Sequence, residues 1–276
     1  MSEPLRTREL KPRIGSEVFI DKAALMSGRH ARALRDLLER RGVIVIRGVE
    51  LSDEEEIALA GTMGPVRQDF GRPIMRVTMD RNANRDHVDY FHATFHWHMD
   101  GTYEDVPPLA SILTPRVLPP RGTEQTEFSN SYAAWEDLPK ADKQRLSGIQ
   151  VVHSSAFALS PDETPTMDQL EWIARLGTRV HPLVWHHRSG RVSLALGDSA
   201  ERIVGMDRAE SDATLRWLMA WMTRQQYVYR HEWQLGDVLM WDNTGTLHRA
   251  LPYARDCGRR LHRVTLIGEE SISQAA

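Results

Sequence analysis

One short segment of the chain concentrates side chains that can bind a metal. FHATFHWHMDG, residues 91–101, contains His92, His96, His98 and Asp100. Alternate residues of a β-strand point to the same face, so His98 and Asp100 can direct an imidazole and a carboxylate at one point. His96 and His98 form a competing pair with the same spacing. The segment therefore indicates a metal site and leaves open which histidine binds.

A third candidate ligand lies far along the chain. In GDVLMWDNTGTLHRAL, residues 236–251, His248 follows an apolar run and a turn. Two histidines and one carboxylate make the facial triad of non-haem iron(II) oxygenases, which leaves coordination positions open. A His-x-Asp pattern alone is common by chance, and the distant histidine is what makes it specific.

Two arginines come shortly after this histidine. RRLHRVTLIG, residues 259–268, predicts a strand in which Arg259, Leu261 and Arg263 share one face and the residues between them share the other. Arginines that point into a protein interior are costly unless anions meet them. A bound dicarboxylate and an anionic substrate would supply both counter-charges.

The remainder of the chain offers many strands to hold these groups. Apolar or alternating runs predict strands at about 43–46, 110–113, 149–153, 179–185, 192–196, 237–241 and 261–267. Helices are predicted at about 30–42, 52–64, 131–146 and 212–225. A strand from about residue 77 gives way by residue 85 to a mobile loop, and residues 155–169 have the length of a lid. Many short strands with a few peripheral helices predict a mainly β fold, a sandwich or barrel.

Composition and charge exclude several classes of protein. The 276 residues are 41% hydrophobic and 26% charged, an ordinary globular balance, and we expect one domain, 1–276, with tails at about 1–14 and 269–276. The net charge of −3 gives no basic footprint for nucleic acid. A single cysteine, Cys257, and the lack of a membrane span or leader in the sequence predict a cytoplasmic protein.

Taken together, the three motifs resemble those of the taurine/2,4-dichlorophenoxyacetate dioxygenase (TauD/TfdA) family of Fe(II)- and 2-oxoglutarate-dependent oxygenases. WHMDGTYEDVPPLASIL at 97–113, GDVLMWDNTGTLHRA and RRLHRVTLIG are similar to the family motifs, in family order and at nearly family spacing. The resemblance runs from about residue 15 to 268. It implies a double-stranded β-helix (jelly-roll, cupin-like) core. It also implies that His98, Asp100 and His248, hereafter the triad, bind the iron, and that His96 does not.

The resemblance also implies how the organic reactants bind. The far carboxylate of 2-oxoglutarate is expected to lie against Arg259, whose planar fork matches a carboxylate, and to accept a hydrogen bond from Thr126. The family's double glycine is missing from PPRGTEQTEFSNSYAAWEDLP, residues 119–139, so Thr123 is an alternative to Thr126. Arg263 and Thr102 are the expected substrate-binding residues. For Arg263 the alternative is a salt bridge to a carboxylate of the protein.

The predicted function is hydroxylation of a small anionic substrate, a carboxylate or sulfonate, with O₂ consumed and succinate and CO₂ released. A desaturase with the same iron centre and a jelly roll that binds metal without turnover are the alternatives. A zinc hydrolase is disfavoured because the sequence has no H-E-x-x-H motif. Asp100 fills the position that halogenases of this type leave open for chloride, which disfavours halogenation. The resemblance also predicts a homo-oligomer, a dimer or tetramer. The net charge and the lack of a long apolar stretch predict no nucleic-acid or membrane partner.

Overall fold

Short strands dominate the chain, as predicted. The computed structural model describes residues 4–69, 71–80, 94–119, 125–156, 167–254 and 256–273. Its strands are β1 (Arg6–Glu9), β2 (Ser16–Phe19), β3 (Val43–Ile46), β4 (Met75–Val77), β5 (Ala110–Val117), β6 (Thr126–Asn130), β7 (Gln150–Ser154), β8 (Thr178–Pro182), β9 (Val184–His186), β10 (Val192–Leu194), β11 (Ala200–Ile203), β12 (Val228–His231), β13 (Val238–Asp242), β14 (Thr246–Ala250) and β15 (Arg260–Thr265). Its helices are α1 (Lys22–Met26), α2 (Ala31–Arg41), α3 (Asp53–Met63), α4 (Ser131–Glu136), α5 (Lys140–Leu146), α6 (Met167–Leu176) and α7 (Arg208–Met222).

Two sheets pack face to face and frame the site. The larger has the strand order β1-β2-β3-β13-β5-β15-β4, and the smaller has the order β12-β6-β14. Strands β2 and β3 run parallel, whereas the pairs around β5, β6, β13 and β15 run antiparallel. Phe128 of the smaller sheet packs with Leu239, Trp241 and Leu261 of the larger. This sandwich confirms the predicted jelly-roll core.

The central strands of the larger sheet are buried on both faces. In β3, Val43 and Val45 belong to the interior between the sheets, while Ile44 and Ile46 pack against α2 and α3 on the outer face. All four residues are buried. A run of β-branched residues without polar alternation suits such a strand, because neither of its faces meets water.

The predicted C-terminal end of α2 and the predicted N-terminal start of α3 are confirmed. Helix α2 stops at Gly42, which adopts φ +73°, a conformation that costs glycine little. Helix α3 begins with the predicted capping box: the Ser52 hydroxyl accepts from the Glu55 N–H, and the Glu55 carboxylate accepts from the Ser52 N–H. Both helices therefore present fixed apolar faces to the sheet.

Two elements that were predicted as continuous are each interrupted in the structure. The helix expected at 131–146 is two helices, α4 and α5. Pro139 lies between them, and a proline disfavours helical geometry at the residue before it. The strand expected at 179–185 is also two strands, since β8 ends at Pro182 and pairs with β7, while β9 pairs with β10. Residues 6–9, within the predicted N-terminal tail, form edge strand β1.

Some predictions concern residues outside the described ranges. These are His92, Thr123 and most of the two segments expected to be a mobile loop and a lid, at 81–85 and 157–166. In the described ranges, no helix combines the length and the apolar character needed to cross a membrane.

Candidate metal centre and active site

Three side chains meet between the sheets. The ligand atoms of His98, Asp100 and His248 all lie within 4.8 Å of one another. Nε2 of His98 is 3.8 Å from Oδ1 of Asp100, and Nε2 of His248 is 3.7 Å from Oδ2. Across the described ranges, no other group of three or more histidine, cysteine or acidic residues is arranged in this way.

Backbone hydrogen bonds hold these three residues in register. The N–H of His98 donates to the carbonyl of His248 (3.0 Å), and the N–H of His248 donates to the carbonyl of His98 (2.9 Å). This bridge attaches the 98–100 segment to the edge of β14. Asn243, in the turn before β14, accepts from the N–H of Asp100 and donates to its carbonyl, both at 3.0 Å. These hydrogen bonds fix the backbone positions of His98, Asp100 and His248 relative to one another.

The imidazole of His98 is oriented with Nε2 toward Asp100. Its Nδ1 lies 2.8 Å from the carbonyl oxygen of His96. Because a carbonyl can only accept, Nδ1 carries the proton and Nε2 keeps its lone pair. The His96 side chain is exposed and lies outside the cluster, so the competing His96–His98 pair does not form.

Burial and neighbouring charges set the protonation of the centre. Burial lowers the pKa of His98 against the pull of Asp100, and burial together with His98 holds the pKa of His248 well below its usual range. Burial opposes ionisation of Asp100, but the Arg263 guanidinium, followed by the two imidazoles, holds the pKa of that carboxyl well below its usual value. Near neutral pH the site therefore offers two neutral imidazoles and one carboxylate. This donor set fits a divalent first-row metal such as Fe(II).

Thr126 and Arg259 come together at the first residue of β6. The buried Arg259 guanidinium donates to the Thr126 hydroxyl oxygen at 3.4 Å and lies over the ring of Tyr253 at 4.6 Å. The Trp233 indole N–H donates to the same oxygen at 3.0 Å. With two donors directed at its lone pairs, the hydroxyl can offer its own proton to an acceptor such as a carboxylate.

Arg263 reaches the metal centre from the same face of β15. Its Nη1 donates to Oδ2 of Asp100 at 3.0 Å. A cavity of about 220 Å³ adjoins both residues. Arg67 and Glu104, in the wall of this cavity, are joined by two hydrogen bonds of 2.8 Å. The cavity lies beside the metal centre, and Arg263 is a basic residue in its wall.

Thr102, the other expected substrate-binding residue, is fully buried. Its hydroxyl lies 2.5 Å from that of Ser199 and it is not among the residues that line the cavity beside Arg263. A role for Thr102 in substrate binding stays a prediction.

Comparison with known proteins identifies the family. The family model "Taurine catabolism dioxygenase TauD, TfdA family" matches residues 6–265. The chain belongs to the TauD/TfdA family. It is 31% identical to the "Alpha-ketoglutarate-dependent 2,4-dichlorophenoxyacetate dioxygenase" of Cupriavidus pinatubonensis over 92% of this chain and 94% of that one. It is 30% identical to the "Alkylsulfatase" of Acinetobacter baylyi over 97% and 86% of the two chains.

The solved structures agree with this assignment of the TauD/TfdA family. AAD-2 in complex with Mn(II) and N-oxalylglycine superposes with a TM-score of 0.82 and 26% sequence identity, covering 98% of this chain and 100% of that one. The predicted family and its dioxygenase class are thereby confirmed. A jelly roll that only binds metal is not favoured, because the matching family is one of dioxygenases.

Several residues of this TauD/TfdA site were not singled out as functional from the sequence. The sequence indicates only a turn at Asn243, which holds Asp100, and no pattern in it marks Trp233 or the Arg67–Glu104 pair. Asn243 is 143 residues from its partner. Its polar side chain directly after a buried apolar strand was the only local signal.

Proposed function

We propose that this TauD/TfdA dioxygenase uses Fe(II), 2-oxoglutarate and O₂ to hydroxylate a small anionic organic compound, with release of succinate and CO₂. The observation that carries the proposal is the convergence of His98, Asp100 and His248 within 4.8 Å beside two inward arginines. Iron(II) bound by this triad would supply the activation of O₂ that couples decarboxylation of 2-oxoglutarate to oxidation of a substrate C–H bond.

Arg259 and Thr126 are the proposed binding residues for the far carboxylate of 2-oxoglutarate. The guanidinium is buried, and its fork can bind both oxygens of a carboxylate. The Thr126 hydroxyl, directed by Trp233 and Arg259, adds a third hydrogen bond. A dicarboxylate held in this way has its other end free to reach the triad.

Arg263 is the proposed partner of the substrate anion. It borders the cavity next to Asp100, so an anion bound there would place the adjoining carbon atoms close to the metal. The substrates named for the relatives, 2,4-dichlorophenoxyacetate and alkyl sulfates, carry one carboxylate or sulfate group. A carboxylate, sulfonate or sulfate ester is the proposed substrate class. The homo-oligomeric state and the cytoplasmic location stay predictions.

The proposal is tested by succinate release. Purified protein is incubated with Fe(II), ascorbate and 2-oxoglutarate, alone and with a panel of aryloxyalkanoates, alkyl sulfates and alkanesulfonates. We expect slow release without substrate and faster release with some anions of the panel. Release that does not depend on Fe(II), or none under any condition, would contradict the proposal.

A further inference from the structure

A second cavity lies next to α2, apart from the metal centre. Its volume is about 230 Å³, close to that of the cavity beside Arg263. It is enclosed by α2, the start of β5, the turn between β9 and β10, the end of β13 and the segment after β15. Among the described residues, none that lines this cavity also lines the cavity beside Arg263, so the two are separate sites.

A buried carboxylate, that of Asp242, lines this second cavity. Asp242 is 5% exposed. Its Oδ1 accepts from the N–H and the hydroxyl of Thr244, at 2.9 Å and 2.7 Å, and its Oδ2 accepts from the Tyr132 hydroxyl at 2.9 Å. An ionised carboxylate can accept about four hydrogen bonds, two at each oxygen. The described residues therefore leave one acceptor position of Oδ2 for a further donor.

The two hydroxyl groups around Asp242 are held in place by the fold. Tyr132 and Thr244 also line the cavity. A Cβ at Gly245 would lie 1.8 Å from the ring of Tyr132, so the ring can pack here only because residue 245 is glycine. The polar side of the cavity is thus arranged before any ligand binds.

The basic residues that line this cavity already face glutamates. Arg35 donates to both oxygens of Glu269, at 2.8 Å and 2.7 Å. His187 lies 2.8 Å from one oxygen of Glu270, and Nε of Arg188 lies 3.9 Å from the other. Their charges are therefore offset within the rim of the cavity.

The remaining acids of the lining have no such partner. Within the described ranges, no lysine, arginine or histidine forms an ion pair with Asp36, Glu39 or Asp242. A buried carboxylate that no cation meets is costly to the fold. Much of the rest of the lining is apolar, from Leu38, Met63, Leu109, Ala110 and Leu266. The cavity thus combines an excess of negative charge with an apolar wall.

We propose that this cavity binds a small organic cation, an ammonium group attached to an apolar body. The ammonium donates a charge-assisted hydrogen bond to Oδ2 of Asp242, and the apolar body packs against the wall. Asp242 and Thr244 flank Asn243, whose side chain holds the backbone of Asp100. The cation therefore binds next to the residue that positions a metal ligand, without contacting the metal ligands themselves.

The test compares two probes of similar shape, benzylammonium and benzyl alcohol. Both have a hydroxyl or N–H donor on the same ring and spacer, but only benzylammonium has a charge. Binding to the full-length protein is measured by calorimetry with Fe(II) and 2-oxoglutarate present and oxygen absent, so that no turnover takes place. We expect benzylammonium to bind about tenfold to a hundredfold more tightly than benzyl alcohol, the usual advantage of a hydrogen bond between charged groups.

Two variants locate the binding in this cavity. Asp242→Asn keeps the shape and removes the charge, so benzylammonium should lose its advantage over benzyl alcohol. Thr244→Arg places a guanidinium beside the Asp242 carboxylate and fills the cavity, so neither probe should bind. Asp212→Asn is the matched control: Asp212 lies on α7, outside the lining of the cavity, and pairs with Arg208 at the surface. Both affinities should be unchanged in this control.

Three results would overturn the inference. One is equal binding of the two probes, or binding of neither, by the wild-type protein. Another is an undiminished preference for benzylammonium in Asp242→Asn. The third, which decides the question if Asp242→Asn does not fold, is binding of benzylammonium by Thr244→Arg with the wild-type affinity.

Discussion

Arg259 provides the sharpest test of how the cosubstrate binds. Arg259 is 2% exposed, so its guanidinium makes its hydrogen bonds away from bulk water. Loss of one partner of a buried charge pair costs on the order of 2–5 kcal/mol. Arg259→Ala should therefore raise the KM for 2-oxoglutarate by about thirtyfold to several thousandfold, since about 1.4 kcal/mol corresponds to a factor of ten. Thr126→Ala removes one hydrogen bond, about 1 kcal/mol, and should raise this KM only about fivefold.

The neighbouring residue supplies the control for this experiment. Arg260 has the same side chain and adjoins Arg259, but it points to the outer face of β15, on the side of His262 and Asp53. Arg260→Ala should leave the KM for 2-oxoglutarate close to the wild-type value. Succinate release gives the KM, and an anaerobic titration of the iron-loaded protein gives the affinity directly. The reasoning is refuted if Arg260→Ala matches Arg259→Ala, or if the Arg259 and Thr126 variants both bind 2-oxoglutarate normally.

Three further predictions follow from the site and its surroundings. Alanine at any position of the triad should abolish Fe(II) binding, measured by metal titration, whereas His96→Ala should retain it; the reverse result for His96 and His98 would contradict the assigned ligands. Arg263→Gln should lower substrate-stimulated succinate release far more than the release without substrate, and an unchanged substrate KM would exclude Arg263 as the anion partner. Burial raises the pKa of Glu56 to about 8. Protonated Glu56 therefore stabilises the folded state fully below about pH 4.5, and this stabilisation is lost as the pH rises through about 8. Glu56→Gln should therefore flatten the fall in Tm between about pH 4.5 and about pH 8, and an unchanged slope would show that Glu56 is ionised throughout.

Some of the candidate site residues could be predicted because their spacing obeys local rules. His98 and Asp100 are separated by the two-residue period of a strand, and Arg259 and Arg263 by twice that period. The structure places Arg259 against Thr126 and Arg263 against Asp100, both on the inner side of β15. Residue type and period were sufficient for the two arginines. They did not decide between His96 and His98, which have the same spacing; that choice depended on the family resemblance, and in the structure His98 forms an isolated bridge while Asp100 lies in a turn.

The supporting residues could not be predicted, because their contacts join distant parts of the chain. Arg67 and Glu104 are 37 residues apart, and Trp233 reaches Thr126 across 107 residues. No periodicity relates such pairs, so only the folded chain brings them together. The break between α4 and α5 is a different case, because Pro139 itself marks it in the sequence.

The carboxylate of Asp100 connects the metal half of the proposed site to its substrate half. One of its oxygens accepts from Arg263 at 3.0 Å, and its oxygens lie 3.8 Å and 3.7 Å from the two histidine nitrogens. An anion that draws Arg263 toward itself weakens the interaction that keeps Asp100 ionised. A divalent metal at the triad offsets that loss, because it places positive charge on the same carboxylate. Metal binding should thus favour anion binding, and by linkage the anion must favour metal binding by the same factor. Coupling between the two halves of the site requires no moving lid, since both use one buried carboxylate.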